Sequence, residues 1–549
     1  MNQIRTRDST VTRARCLHAC AAAVLCILCL LNAATARAAG TFDAALLQLI
    51  KGGFQEKALA VTALEEAKDE RSLPLLKALL EGRLYYRKDN ERLVTVRESE
   101  DAYRLRDALS DEALGPAAKD DVNKITINNS LRGQLRDAIA RLSLSNTDAA
   151  VRLAAVEDML KSMDQDTASQ LRGAMQQEQD EDVRAAMRVN IAMMDVESED
   201  KAVRLRAVAA MSGSLNPAVM AKLQSLSEQQ EADGDVRHAA ATALGRIRER
   251  VKFYEFIETV FFGLSLGSVL LLAAIGLAIT FGVMGVINMA HGELMMLGAY
   301  TTYVVQQLMP DHIEFSLIVA IPAAFLISAS VGIAIERGVI RFLYGRPLET
   351  LLATFGISLV LQQAVRTIFS PLNRSVDSPS WMSGAWDINS ALSLTHNRLY
   401  IILFSLLVFA ALLLILKKTS LGLQVRAVAQ NRAMARAMGV RSEWVDALTF
   451  GLGSGIAGIA GVALSQLTNV GPNLGQSYII DSFMVVVFGG VGNLWGTLVG
   501  AMSLGVVNKF LEPWSGAVLA KILLLMFIIM FIQRRPRGLF PQKGRAAEG

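Results

Sequence analysis

Three polar residues occupy a place where an apolar chain tolerates few. The stretch "GVINMAHGELMMLGAY" at 285–300 holds Asn288, His291 and Glu293 between flanks apolar enough for a bilayer. A charge at the bilayer centre costs roughly 2.5–3.5 kcal/mol on insertion scales. Two arrangements fit. Residues 285–293 can form a hydrated cytoplasmic turn between two spans, or they can interrupt a helix and present polar groups to a translocation path. Gly282, Gly285 and Gly292 ease a break in either case. Gln362 and Gln363 in a later apolar block, and Asp481 in another, are further candidates for a path or its gate. Packing inside a bundle explains them as readily.

A second informative stretch is "TSLGLQVRAVAQNRAMARAMGVRSEW" at 419–444. Val425, Val428 and Ala429 form one helical stripe; Met434, Ala437 and Met438 form another. The stripes do not align at 3.6 residues per turn, which predicts a break near Gln430–Asn431. Two short basic amphipathic helices, with Arg426, Arg432 and Arg436, would lie on the membrane surface or dock into a partner's groove. The run Gly489, Gly490, Gly492 and Asn493 reads as a helix break lining a cavity, since non-helical backbone cannot face lipid. It is not a phosphate loop, because no lysine follows, and no GxxxxGK[S/T] occurs in the sequence. Hydrolysis would have to come from another subunit.

The elements that position these residues follow from composition. Of 549 residues, 52% are hydrophobic and 19% charged, with a net charge of +4. The distribution is uneven. Residues 40–252 are charge-rich, whereas the remainder, 253–549, is mostly apolar in blocks near the roughly 20 residues that cross a bilayer as helix. Nine spans are expected, at about 259–281, 288–308, 316–335, 350–369, 399–416, 447–466, 478–491, 495–511 and 516–533. Lys and Arg cluster at 336–349, at 417–446 and after 533, which predicts a cytoplasmic side for those segments and for the C-terminus. Glycines at four-residue spacing in the late spans allow close helix approach.

Residues 1–39 read as an export signal: Arg5, Arg7, Arg13 and Arg15, then "AAAVLCILCLL", then small residues near Ala38 and Ala39. An uncleaved anchor is the alternative. All four cysteines, Cys16, Cys20, Cys26 and Cys29, lie in this segment, so a mature chain would have no disulfide framework. Within 40–252, the segments beginning near 147, 180, 199 and 233 share an acidic start, then Val-Arg, then alanine-rich helical spacing. Each helix pair of such an array buries its face against its neighbours, as in HEAT-type repeats. "LYYRKDNERLVTVRESEDAYRLRD" at 84–107 breaks the pattern and suggests a hairpin insertion. This region has no metal-ligand cluster and no nucleophile beside a base. The fold class expected is all-α, an exported HEAT-like domain followed by a polytopic membrane domain.

Residues 263–540 resemble the permeases of branched-chain amino-acid-type ABC importers. The matching pieces are "GLAITFGVMGVINMAHGELMMLGAY", "ERGVIRFLYGRPLETLLATFGISLVLQQ", "TSLGLQVRAVAQNRAMARAMGV" and "VVVFGGVGNLWGTLVGA". The resemblance implies that the loop ending in Gly439, with Arg426, Gln430, Arg432 and Arg436, contacts an ATPase. It also implies a non-enzymatic transport role, while the export signal ahead of a polytopic region itself suggests a bacterial inner membrane with residues 40–252 in the periplasm. The implied partners are a second related permease subunit, two cytoplasmic ATPase subunits and a periplasmic binding protein. ATP is then their cofactor, and neither nucleic acid nor a metal is involved. The long N-terminal domain departs from the amino-acid permease pattern and is similar to the urea-transporter permeases of the family (the UrtB type). Urea import is therefore the leading expectation, with branched-chain amino acids or short amides as the alternative. A lone channel or secondary carrier, or a membrane-anchored periplasmic scaffold, are the readings from other classes.

Overall fold

The computed structural model describes residues 42–540 except residue 68 and residues 99–102, 161–162 and 231–232. The export-signal expectation for 1–39 lies outside the described residues. The chain is mostly helical, at 74%, and divides into two compact units between Arg248 and Glu249.

In the first unit, α1 (42–51), α2 (Phe54–Glu66), α3 (Ser72–Leu80) and α4 (Asn129–Ser143) surround a core that includes Leu49, Leu64, Leu76, Leu79 and Leu135. Between α3 and α4 the chain forms β1 (Leu84–Arg87), β2 (Leu93–Glu98), β3 (Tyr103–Asp107), β4 (Ala113–Ala117) and β5 (Val122–Lys124). These strands pair antiparallel in the order β4-β3-β2-β1-β5. The all-α expectation is thus corrected here, and the expected hairpin proves to be a five-stranded sheet. Aromatic and β-branched runs favour the pleated surface. Tyr85, Val94, Val96 and Leu105 bury one face together, while Leu84 and Leu93 join the helical core.

Next come α5 (Ala149–Met159), α6 (Gln165–Met175), α7 (Glu181–Asp195), α8 (Lys201–Met211) and α9 (Pro217–Ser225), with α7 packed on α5, α6 and α8. The repeated acidic start and Val-Arg have a local cause. Asp148, Asp180 and Asp200 are N-caps whose carboxylates accept from backbone N–H groups of the first turn. The arginine four residues later reaches back to the preceding turn. Arg152 Nη1 donates to Asn146 O and Thr147 O, and Arg204 Nη1 to Ser198 O and Glu199 O, all at 2.8–2.9 Å. Arg184 likewise donates to Glu178 O.

The second unit takes in most of α10 (Gly234–Met284), inside which the unit boundary falls. It continues with α11 (His291–Leu308), α12 (Ile313–Gly338) and α13 (Pro347–Phe369). After α13 a short hairpin, β6 (Ala385–Asn389) and β7 (Leu392–Thr395), leads to α14 (His396–Lys418). The chain ends with α15 (Ser420–Gln430), α16 (Arg432–Ala437), α17 (Ser442–Ser465), α18 (Leu474–Gly489) and α19 (Leu494–Arg534).

Six of these helices, α10, α12, α13, α14, α17 and α19, are long and apolar enough to cross a membrane. The chain is a multi-pass membrane protein; among the described residues, length and composition mark six candidate spans where nine were expected. The difference has identifiable sources. α18 is a shorter apolar helix of 16 residues, and α11 carries the polar residues of the opening stretch. The two last expected spans, 495–511 and 516–533, lie on either side of a break inside α19, where Gly516 leaves the helical conformation with φ 76° after Pro513.

α17 is the centre of the unit and runs along both α11 and α12. Glycine permits this. A Cβ at Gly461 would collide with the Met295 carbonyl, and one at Gly298 with the backbone of Gly458. Such close approach is how helices gain packing energy where lipid supplies no hydrophobic drive.

Candidate functional site

The polar groups of the opening stretch are inside the protein. α10 stops at Met284 through Gly285, whose φ of +69° suits glycine. Residues 285–290 are irregular, and α11 begins at His291. Asn288, His291 and Glu293 are each no more than 1% exposed. A hydrated turn is therefore excluded for these side chains; the segment is a helix interruption buried in the bundle.

His291 and Glu293 have partners on other helices, and Asn288 bonds within the interruption itself. His291 Nε2 lies 2.9 Å from Ala273 O of α10, so this nitrogen carries the proton and donates. Asn288 Oδ1 accepts from Ala290 N at 3.0 Å. Glu293 Oε1 accepts from Gln362 Nε2 at 2.7 Å and from Ser358 Oγ at 3.0 Å, both on α13. Glu293 Oε2, His291 Nδ1, Asn288 Nδ2 and Tyr300 Oη are buried and make no hydrogen bond. A buried polar atom without a partner costs about 1–3 kcal/mol. Three such atoms at one helix start, with a fourth farther along the same helix, mark a place where something other than stability sets the sequence.

α13 carries the complementary half. Thr350, Thr354, Ser358 and Gln362 are buried at a spacing of four, hence on one face. Thr354 Oγ1 accepts from Met289 N at 3.1 Å, so this stripe holds the interrupted backbone as well as Glu293. One turn on, Arg366 Nη2 donates to Asn473 Oδ1 at 2.7 Å, just before α18. Thr354, Ser358 and Arg366 were missed in the sequence, although the four-residue polar spacing was there to read. Gln362 belongs to the cluster. Gln363 is exposed and does not.

Asp481 is buried on α18, and its carboxylate is 2.9 Å from Lys521 Nζ of α19. It ties two helices and is not among the partners of Glu293. α18 ends at Gly489; Gly490 and Gly492 take φ of +104° and +79°, and Asn493 Oδ1 caps α19 through Gly496 N. The segment after α19 covers this break: Leu539 N donates to Phe488 O at 2.9 Å, Phe540 N to Gly489 O at 3.2 Å, and Asn493 Nδ2 to Phe540 O at 3.1 Å.

The 419–444 stretch folds as two short helices broken at Asn431, whose Oδ1 accepts from Met434 N. Val425, Val428 and Ala435 pack with Val445 of α17. Leu423, Met434 and Met438 are left 63%, 61% and 79% exposed, beside exposed Arg426, Gln430, Arg436 and Gly439. Arg432 turns inward to Asp446 instead. Among the described residues no group of three or more His, Asp or Glu could hold a metal ion.

Residues 259–532 match the family described as the permease component of the branched-chain amino acid transport system. The high-affinity branched-chain amino acid permease LivH of Salmonella typhimurium is 30% identical over 298 residues, 52% of this chain and 96% of that protein. BraD of Pseudomonas aeruginosa, named for the same transport, is 28% identical over 297 residues, 52% of this chain and 96% of its own length. The ribose import permease RbsC of Escherichia coli is 28% identical over 266 residues, 47% of this chain and 78% of that protein. No solved structure matches the chain. The buried helix interruption, the helices around it and the broken 420–437 pair all fall inside the matched region, and the chain belongs to the branched-chain amino acid transport permease family.

Proposed function

We propose that this chain is the transmembrane permease subunit of an ATP-driven importer for branched-chain amino acids. The observation that carries this reading is the alignment of LivH and BraD over 96% of their lengths with the second unit. Glu293, with Ser358 and Gln362, forms the polar lining of the path or its gate, supported by His291 and Asn288. α15 and α16 receive an ATPase subunit, one of two in the assembly, and their exposed Leu423, Met434 and Met438 supply the apolar anchors that a helix-in-groove contact uses. A second related permease subunit and a periplasmic binding protein complete the assembly. The C-terminus is cytoplasmic in this reading, which the basic segments at 336–349, 417–446 and after 533 support. The first unit then lies in the periplasm as a HEAT-like array behind a cleaved signal, in a bacterial inner membrane.

Urea is the second reading, and one observation favours it. The first unit lies outside the 52% of the chain that LivH and BraD match, as an extension of the urea-transporter type would. The two readings differ in uptake. In cells deprived of this chain, loss of micromolar leucine uptake, restored by the chain only with active ATPases, supports the first. Unchanged leucine uptake with lost urea uptake supports the second.

A further inference from the structure

The amphipathic pair α15–α16 is held to the bundle by few ties, and one of them is a buried ion pair. Arg432, the first residue of α16, bonds through Nη2 to Asp446 Oδ2 in the second turn of α17. Their side chains are 18% and 5% exposed. The guanidinium carbon also sits 4.0 Å from the centre of the Tyr344 ring, in the connection between α12 and α13. Arg436 Nε donates to Ser442 Oγ at 2.7 Å, at the start of α17. Otherwise α16 reaches α17 through a turn in which Gly439 has φ +87°, and through the small apolar cluster around Val445. The pair is sparingly bonded: Asp446 Oδ1 and Arg432 Nη1 and Nε are buried without hydrogen bonds. A desolvated pair of this kind fixes register more than it adds stability.

What α17 touches gives the pair its consequence. At three of its glycines the nearest contacts are backbone, while Gly451 and Gly455 pack against the side chains of Ile333 and Phe325 on α12. A Cβ at Gly453 would lie 2.7 Å from Gly276 O of α10; at Gly458, 2.5 Å from Ala324 O of α12. At Gly461 it would meet Met295 O of α11, two residues beyond Glu293. Close-packed elements move as units.

We propose that Arg432 and Asp446 form the latch that carries movement of α15–α16 into α17, and through α17 into the helix bearing Glu293. Arg432 is thus a positioning residue and stands apart from the exposed face that meets the ATPase. This inference rests on the permease reading above and adds to it the route by which hydrolysis reaches the path. The Arg432 guanidinium meets the carboxylate with its edge while its flat face lies over Tyr344.

The test uses the complete importer, with ATPases and binding protein, in proteoliposomes. For Arg432→Ala, Asp446→Ala and the exchanged pair (Arg432→Asp with Asp446→Arg), three quantities are read: ATPase retained on purification, ATP hydrolysis, and substrate moved per ATP. The expected result is retained ATPase and hydrolysis within about twofold, with substrate per ATP at least tenfold lower in the single variants. The exchanged pair recovers it to within about threefold. Loss of bound ATPase in Arg432→Ala would make Arg432 a docking contact and overturn the proposal, as would unchanged substrate per ATP. Should the single variants not accumulate, the exchanged pair decides: accumulation without recovered coupling makes the pair structural only. Failure of the unmodified assembly to move leucine or urea with ATP would overturn the permease reading itself, a result separate from all of these.

Discussion

The two units differ in how they place polar residues at helix starts. In the first, the repeated acidic and basic residues act locally: Asp180 caps the helix that begins at the next residue, and Arg184 binds the carbonyl of Glu178, six residues back. Pairs such as Arg141 with Glu65 join distant elements there, at the half-exposed surface. In the second, polar groups meet across the fold. Ser358 and Gln362 reach Glu293 from 65 and 69 residues away, and Lys521 reaches Asp481 from another helix. Where water can solvate an unsatisfied group, a short-range bond suffices. Inside an apolar bundle each polar group needs a partner brought by tertiary structure, and a group without one points to function.

The comparison can be broken from either side. The largest effect is expected where backbones touch. Gly461→Leu forces a side chain into the Met295 carbonyl, and overpacking of this kind costs about 1–3 kcal/mol or more; the variant should fail to accumulate in membranes, measured by immunodetection against the unmodified chain. Next comes Glu293→Ala, which orphans Gln362 and Ser358. Uptake should fall at least tenfold while the chain still accumulates, and Glu293→Gln, which keeps an acceptor oxygen, should recover part of it. Equal loss of accumulation and uptake would make the cluster purely structural.

Smaller effects are expected in the first unit. Asp180→Ala removes one helix cap and should cost about 1 kcal/mol, read as faster amide exchange in α7 of the full-length protein. The acid limb is smaller still. The Arg152 guanidinium bonded to Glu178 pulls that carboxyl from 4.5 down to about 2. Because the folded value is the lower one, this contribution is complete above about pH 4.5 and fades as the pH falls towards 2. Protection of residues 146–184 should decline over that window, and Arg152→Ala should flatten the decline.

How much was legible in the sequence follows the same division. The repeated Asp and Val-Arg are local, so the helices of the first unit could be read directly, and the break at Asn431 followed from two stripes out of register. The sheet at 84–124 was hidden because it buries both faces, Tyr85 on one and Leu84 on the other, so no simple alternation marks it. Asn288, His291 and Glu293 drew notice by residue type alone. Their burial was not legible, because it depends on α13 arriving with Thr354, Ser358 and Gln362. Arg432 looked like its exposed neighbours Arg426 and Arg436; only Asp446, fourteen residues on, turns it inward.

The central claim is that this chain carries a branched-chain amino acid through the second unit. Its most direct test is ATP-driven uptake of labelled leucine and labelled urea, side by side, by the reconstituted importer containing this chain. The account predicts leucine accumulation that requires ATP, is inhibited by isoleucine and valine, and is indifferent to urea. Accumulation of urea unaffected by leucine would contradict it.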